Sequence, residues 1–316
     1  MILVVSYAGE EHTEGVVRLL RQEGREVVQI DLGDFPAKAG MALSWNGGIR
    51  PSYRVDTPGG RVDVAAARVG WWRRVRPFTV DAAITNQHDQ AFVQSETSQA
   101  INGMLDGIGC SWVNPREADA AAHHKPYQWA VAQQVGLRVP RTLVTNQPEE
   151  AREFIEHIGV GAVVFKAFLA SMQAWRETRL IERSDLDRLP LVKYAPVIFQ
   201  EYVPGVDLRI TVIGDSIFAA EIDARQTSYP VDMRMVVGEA VVRPVELPAA
   251  LSHSLLALQR RLQLVYGAID VRRTPDGEYY FLEVNPAGQW QFVEQRTSLP
   301  ITRAMADCLA RLDGGS

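Results

Sequence analysis

Cys110 and Cys308 are the only cysteines in 316 residues. So few thiols exclude a disulfide framework and any cysteine-built zinc site, and they suit a reducing cytoplasm. Long apolar runs are missing as well. The start Met1-Ile2-Leu3-Val4-Val5 is too short, and has the wrong flanks, for a signal peptide. No stretch approaches the roughly 20 apolar residues that span a bilayer. Neither sign of charge dominates: 33 Lys and Arg against 38 Asp and Glu leave a net charge of -5, which argues against a nucleic-acid or membrane partner. There is no G-x-x-x-x-G-K-[ST], so this is not a P-loop protein, and no G-x-G-x-x-G follows the first strand, which weakens a dinucleotide reading. Without G-x-S-x-G a serine-hydrolase elbow is unsupported. What remains is a folded protein, 47% hydrophobic and 22% charged, with room for two domains or one with subdomains.

The chain opens on a short apolar strand, Ile2 to Ser6, of the kind covered on both faces of a sheet. Val16, Val17, Leu19 and Leu20 then fall at helical spacing between Glu10 and Glu23, and Gly24 stands where a helix stops. Glu26 to Leu32 is a second strand. This βαβ opening predicts a parallel, doubly wound α/β sheet. Gly40 to Arg61 reads as hairpins, Ala65 to Trp72 as a strand, and residues 80–110 as mainly helical. A boundary falls near Asn114-Pro115, followed by one Ala-rich helix from Ala118 to Val135. Strands are expected at Gly161 to Phe168, Val197 to Tyr202, Leu208 to Ile213 and Ile217 to Asp223. Leu251, Leu255, Leu258 and Leu262 mark an amphipathic helix.

The richest chemistry lies near the C-terminus. Gly267-Ala268-Ile269-Asp270-Val271 and Tyr279 to Val284 read as two strands joined by the turn Pro275-Asp276-Gly277-Glu278. That hairpin lets Asp270, Glu283 and Asn285 converge. Hard oxygen donors beside a nucleotide suit Mg²⁺, which takes one or two carboxylates plus phosphate oxygens; the plainer alternative is a surface hairpin with ordinary charges. Lys166 sits inside the apolar run Val163 to Phe168 and needs a partner there, either a phosphate or a buried carboxylate. Lys125 opens Lys125-Pro126-Tyr127-Gln128, a helix start suited to an anion, or else is a solvated surface residue. Gln200-Glu201-Tyr202-Val203 leaves a strand for a turn, where backbone groups can read an adenine edge. Asp207 and Arg209 share one face of the next strand; they suit a ribose and a phosphate, or a cross-strand ion pair. Arg225, Asp232 and Arg234 lie in a polar loop where arginines can steady an anion. Trp71-Trp72-Arg73-Arg74 reads as a domain-interface plug, and His123-His124, lacking metal-pair spacing, as structural.

Taken in order, Lys125, Lys166, Gln200-Glu201-Tyr202-Val203, Asp207-x-Arg209, Asp270 and Glu283-Val284-Asn285-Pro286 resemble the ATP-grasp superfamily over roughly residues 115 to 310. The opening strand, Val28 to Pro36, Trp71-Trp72-Arg73-Arg74, Gly136 to Leu143 and Gly288-Gln289-Trp290 extend the likeness. They resemble the ribosomal peptide maturases that include the microviridin-type macrocyclases, makers of graspetides. The resemblance implies an N-terminal pre-ATP-grasp α/β domain with a parallel sheet (1–115), a central ATP-grasp subdomain (116–197) and a C-terminal one (198–316). It implies ATP and Mg²⁺ as cofactors. Lys125 and Lys166 would hold phosphates; Glu201, Tyr202 and Val203 the adenine; and Asp207 the ribose, with Gln200 also among the nucleotide-binding residues. Asp270, Glu283 and Asn285 would hold the metal, and Arg209 and Arg234 the transferring phosphoryl group. Two departures stand out. Asp232-Met233-Arg234 replaces the family's frequent Asp-Trp-Arg, and the phosphate-covering stretch Ala167 to Arg176 contains no glycine.

The expected reaction is activation of an Asp or Glu side chain of a precursor peptide as an acyl phosphate. Ring closure by Thr or Ser, giving an ester, or by Lys, giving an amide, would follow. The partner would be leader plus core peptide, with Asp185 and Asp187 in Arg183 to Arg188 as leader-docking candidates, and a homodimer is the family's expectation. Rival readings are a ligase of free amino acids, similar to ribosomal-protein glutamate ligases or glutathione synthetase, and a nucleotide-dependent binding module without catalysis.

Overall fold

Ile2–Ser6 (β1), buried along its whole length, is an inner strand of a four-stranded parallel sheet, with β2 (Val27–Ile30) on one side and β6 (Val69–Arg74), then β7 (Ser111–Val113), on the other. The computed structural model describes residues 1–48, 51–168, 178–229, 231, 236 and 238–314. Strand alternation divides β1 between two cores. Ile2 and Val4 pack with Val16, Val17 and Leu20 of α1 (Glu11–Gln22), while Leu3 and Val5 pack with Ile101, Met104 and Leu105 of α2 (Gln87–Gly107). A small antiparallel sheet, β3 (Gly40–Ser44), β4 (Ser52–Thr57) and β5 (Gly60–Asp63), supplies the hairpins expected from that Gly- and Pro-rich stretch.

After β7 the expected single helix is two: α3 (Arg116–Ala122) and α4 (Lys125–Gln134). Pro126 has no N–H to continue a helix but fits a first turn, so the chain restarts at Lys125. α4 then covers the edge of the last sheet. Gln128 donates to Val284 C=O at 2.8 Å and accepts from Val284 N–H at 2.9 Å, as a strand neighbour would, and Trp129 Nε1 donates to Leu282 C=O. The central sheet has the order β10-β9-β11-β8, from β8 (Thr142–Thr145), β9 (Val163–Lys166), β10 (Arg179–Leu180) and β11 (Val197–Glu201). It packs on α5 (Pro148–Ile158) and on a 3-10 helix, Arg183–Tyr194, through Ala151, Ile155, Leu189 and Phe199.

The last sheet is antiparallel, β14-β13-β12-β15-β16, comprising β12 (Val206–Ile213), β13 (Ser216–Asp223), β14 (Val241–Pro244), β15 (Tyr266–Arg273) and β16 (Tyr279–Asn285). Leu208, Ile210 and Val212 face Leu255 and Leu258 of α6 (Ala249–Arg261). The alternate residues Asp207, Arg209 and Thr211 are buried too, so this sheet carries a covered polar face. α7 (Gln291–Thr297) and α8 (Ile301–Gly314) follow, and α8 returns to the first core, where Met305 and Leu309 join Val16 and Trp71. Trp71 and Arg73 are buried at this junction, as the interface reading expected. Among the described residues no helix is long and apolar enough to cross a membrane.

Glu10 caps α1 by accepting from Thr13 N–H and also meets His12 and Arg73. Burial opposes its ionisation, but His12, Arg73 and Thr13 overcome that and hold its pKa down at about 2, from an ordinary 4.5. Burial pushes His12 below its usual 6.5, against the pull of Glu10. Both effects make the fold more stable at neutral pH than in acid. Below 6.5 the unfolded chain takes a proton on His12 that the folded chain resists. The Glu10 contribution, about 3 kcal/mol, is complete above 4.5 and lost as pH falls toward 2. Glu10→Gln is therefore expected to be destabilising at pH 6 and much less so at pH 3. An unchanged gap in urea midpoints between those two conditions (roughly 1.4 kcal/mol resolves a tenfold change in equilibrium) would disprove this account.

Candidate active site

The charged face of the last sheet is organised by strand register. Asp207 of β12 lies opposite Arg272 of β15, and Arg209 lies opposite Asp270. Each strand carries Asp-x-Arg, and antiparallel pairing sets every Asp against an Arg. Arg272 Nη1 donates to Asp207 at 3.1 Å, while its Nη2 donates to the Tyr202 hydroxyl at 3.1 Å and its guanidinium lies 5.2 Å from that ring's centre. Arg209 Nη1 reaches both Asp270 oxygens, at 2.9 and 3.0 Å, and its Nη2 donates to Gln289 C=O. The cross-strand ion pair is thus the arrangement present, and neither Asp207 nor Arg209 stands as an isolated charge.

Asp270 in turn faces Glu283 of β16, and Asn285, two residues on, shares Glu283's side of the strand. Asn285 is exposed and its Oδ1 accepts from Ala287 N–H at 2.9 Å. α4 brings Lys125 to Glu283 as an ion pair. Two opposed carboxylates are thereby balanced by one cation each, Arg209 and Lys125. Gly288 lets the chain turn here: a Cβ would stand 2.3 Å from Ala268 Cβ and 3.0 Å from Arg209 Nη2.

From the central sheet, Lys166 Nζ donates to Gln200 Oε1 at 2.8 Å, and Gln200 Nε2 donates to Thr142 Oγ1 at 2.9 Å. The sequence called for a phosphate or a buried carboxylate beside Lys166; the amide of Gln200 is one partner that it has here. Glu201 forks with Arg141 at 2.9 and 3.1 Å, and that hydrogen-bonded pair keeps its carboxyl below the usual range. Its side chain is therefore engaged elsewhere. Glu201 N–H and Tyr202 N–H bond Arg141 C=O and Ala162 C=O, whereas Val203 N–H makes no backbone hydrogen bond among the described residues.

The two sheets flank an open cleft. Its lining includes Lys166, Gln200, Glu201, Tyr202 and Val203 from the central sheet and the turn after it, Asp207, Asp270, Arg272 and Glu283 from the last sheet, and Lys125 and Thr178. Of the residues singled out from sequence, Arg209 supports this wall from behind Asp270 and Asn285 stands beyond it. Arg234 and Asp232 lie outside the described residues, as does most of the phosphate-covering stretch, 169–177. Arg225 pairs with Asp223 at 2.7 Å in solvent. Asp185 is buried, pairs with Arg179 at 2.8 Å and accepts from Glu182 N–H, so of the two docking candidates only Asp187 is exposed. His123 is structural, its Nδ1 lying 2.8 Å from Asp119 C=O. Arg272 went unnoticed in the sequence. The doubled Asp-x-Arg pattern on neighbouring strands was the signal that marked it.

The donor set fits a hard cation. It offers two carboxylates and an amide oxygen, and no group of three or more His, Cys, Asp or Glu suited to a metal occurs among the described residues. That is the composition for an ion that completes its shell with phosphate oxygens and water rather than one caged wholly by protein.

Residues 1–120 match the MvdD pre-ATP grasp domain, and residues 122–309 match the RimK-like ATP-grasp domain. Among solved structures the chain is similar to macrocyclase MdnC from Microcystis aeruginosa MRC, bound with precursor peptide MdnA. The TM-score is 0.86 and the identity 28%, over 98% of this chain and 99% of that one. ATP-grasp ligase PsnB, complexed with a phosphomimetic variant of a minimal precursor, Mg and ADP, superposes at TM-score 0.80 with 27% identity over 98% of each chain. A RiPP-associated ATP-grasp ligase from Chryseobacterium gregarium, in complex with ADP and a leader and core peptide, shares the fold at TM-score 0.88 and 24% identity, over 99% of this chain and 98% of that one. A ribosomal protein bS6 L-glutamate ligase of Escherichia coli O7:K1 is 24% identical over 213 residues, 65% of this chain and 69% of that protein.

Proposed function

The chain belongs to the RimK-like ATP-grasp family, and from that premise we propose that it is an ATP-dependent, ADP-forming carboxylate ligase acting on a ribosomally made precursor peptide. The observation that carries the reading is the opposed pair Asp270 and Glu283 in one cleft with Lys125, Lys166 and the Gln200 to Val203 turn. The near full-length likeness to macrocyclase MdnC and to PsnB supports a peptide as substrate. We divide the chain at 1–115, 116–197 and 198–316. The second division is better drawn just past β11, because β11 pairs with β8 and β9. A cytoplasmic homodimer completes the reading.

In this site Lys125 and Lys166 hold the ATP phosphates, with Gln200 aiming Lys166. Val203 N–H and the Glu201 and Tyr202 backbone take the adenine edge, and Asp207, steadied by Arg272, takes the ribose. Asp270, Glu283 and Asn285 would hold Mg²⁺, which when bound would draw charge from the phosphate oxygens. A substrate carboxylate oxygen attacks the γ-phosphorus, the bond to the β-phosphate oxygen breaks, and ADP leaves. The product is an acyl phosphate, so the oxygen to be expelled next departs as phosphate rather than oxide. Arg209 and Arg234 offset the negative charge on the transferring group. A Thr or Ser hydroxyl, or a Lys amine, of the same peptide then attacks the carbonyl. Phosphate leaves, the attacking group loses its proton, and the ester or amide closes the ring. Holding both groups on one peptide supplies much of the rate.

Mass spectrometry of the protein with ATP, Mg²⁺ and the small peptide encoded beside its gene tests this. Loss of water in whole units with matching ADP release is expected. ADP release with free amino acids and an unchanged peptide would instead establish an amino-acid ligase, the reading that the glutamate-ligase relative favours.

A further inference from the structure

The turn after the metal-binding strand is held largely by side chains from the first 114 residues. Asn114 Nδ2 donates to Pro286 C=O at 3.1 Å, and Arg73 Nη1 donates to Ala287 C=O at 2.6 Å and Gly288 C=O at 3.0 Å. His12 Nε2 accepts from Trp290 N–H at 3.1 Å and Gln291 N–H at 3.3 Å. Glu10 sets the imidazole: its Oε1 takes His12 Nδ1–H at 2.9 Å, while Thr13 occupies Oε2 from both N–H and Oγ1. With the Nδ1 proton committed to Glu10, Nε2 is an acceptor. Glu10, His12 and Arg73 are all under 5% exposed, and the Arg73 guanidinium lies 4.8 Å from the centre of the Trp290 ring.

The same turn adjoins residues of the cleft wall at both of its ends. Asn285 begins it, and the carbonyl of Gln289, one residue before the amide that His12 holds, accepts from Arg209, the partner of Asp270. A continuous path therefore runs from Glu10 through His12 to the Trp290 amide, and from Gln289 through Arg209 to Asp270. Packing alone does not require this chemistry, since buried ionic groups can often be replaced by apolar ones without loss of stability.

We propose that His12, oriented by Glu10, is a positioning residue for the ligase reaction, through which the N-terminal α/β unit sets the Asn285 to Trp290 turn, and so the placement of Arg209 against Asp270 and of Asn285 at the metal. This rests on the ATP-grasp reading of the cleft. Two neutral substitutions separate the two ring nitrogens. Gln places an amide oxygen near the position of Nε2 and keeps an acceptor for Trp290 N–H. Asn reaches only as far as Nδ1 and keeps only the contact with Glu10.

The experiment measures ADP release by full-length wild type, His12→Asn and His12→Gln as Mg²⁺ and ATP are varied, with melting temperatures recorded alongside. Changing a residue that holds a metal ligand in place typically costs about 10- to 100-fold. His12→Asn is expected to lower kcat and raise the half-saturating Mg²⁺ concentration by about tenfold each, with KM for ATP within about twofold of wild type. His12→Gln is expected to restore most of both. Equal behaviour of the two variants, or an active wild type whose Mg²⁺ dependence neither variant alters, overturns the positioning role alone. A wild type that releases no ADP with peptide or amino acids overturns the ligase reading and this inference with it.

Discussion

Glu283→Gln is expected to lower ADP release by about a thousandfold or more, equivalent to the several kcal/mol that a properly held metal contributes to phosphoryl transfer. The substitution keeps the side chain's volume and removes only charge. Glu283 is one of two carboxylates set opposite each other on β15 and β16, and it is the ion partner of Lys125. With glutamine there, the cation loses half of its anionic protein donors and the Lys125 ammonium loses the group that orients it. The fold has little stake in this carboxylate, because α4 is docked through Gln128 and Trp129 to the backbone of β16. Stability should therefore stay within about 1 kcal/mol of wild type, as for a partly exposed ion pair. Steady-state ADP release and urea denaturation of the same preparation measure both. Wild-type turnover in Glu283→Gln would remove the metal assignment; lost turnover in an unfolded protein would remove the claim that the effect is chemical.

Arg272→Met should produce the largest loss of stability, about 3 to 5 kcal/mol, because it removes one member of a buried ion pair. Asp207 and Arg272 are 7% and 6% exposed, so a carboxylate that loses this guanidinium has little access to water. Tyr202 loses both its hydrogen bond and the cation over its ring, and with them the order of the turn proposed to hold adenine. ATP affinity should fall with stability. Combining Asp207→Asn with Arg272→Met removes the buried charge left facing the lost guanidinium and is expected to recover much of the stability but not the affinity. Urea midpoints and ATP titrations of the single and double variants test the pair as a cycle. A cost below about 1 kcal/mol for the single variant would mean that Asp207 is neutral or solvated despite its burial.

Much of this architecture is legible in local pattern. The βαβ opening, the hairpin from Tyr266 to Asn285 and the leucine-spaced helix α6 each arise from periodicity and turn chemistry within about twenty residues. The ordered set from Lys125 to Asn285 is legible for a related reason. Phosphate, adenine and metal each require a particular residue type, and the fold presents those types in a fixed order along the chain. The misreadings concern neighbours. The two-helix break at His123-His124 follows from Pro126, which a window dominated by alanine obscured.

Other features have no local signature at all. The ends of β1 and α8 meet because the C-terminal helix returns to the first sheet, so Met305 packs with Val16; residues nearly three hundred positions apart share no periodicity. Glu10, His12 and Arg73 look like an ordinary helix start and a strand end until Trp290 closes over them. Asp207 and Arg209 are on one face by strand alternation alone, but only the register with β15 converts the two Asp-x-Arg patterns into a pair of crossed ion pairs. Local pattern thus determines which side chains the cleft can use, since alternation, helical spacing and turn preference act through bonds between near neighbours. Which of those charges neutralise one another, and which unit of the chain holds the Asn285 to Trp290 turn in place, depends on long-range pairing and burial, and the tertiary structure alone decides it.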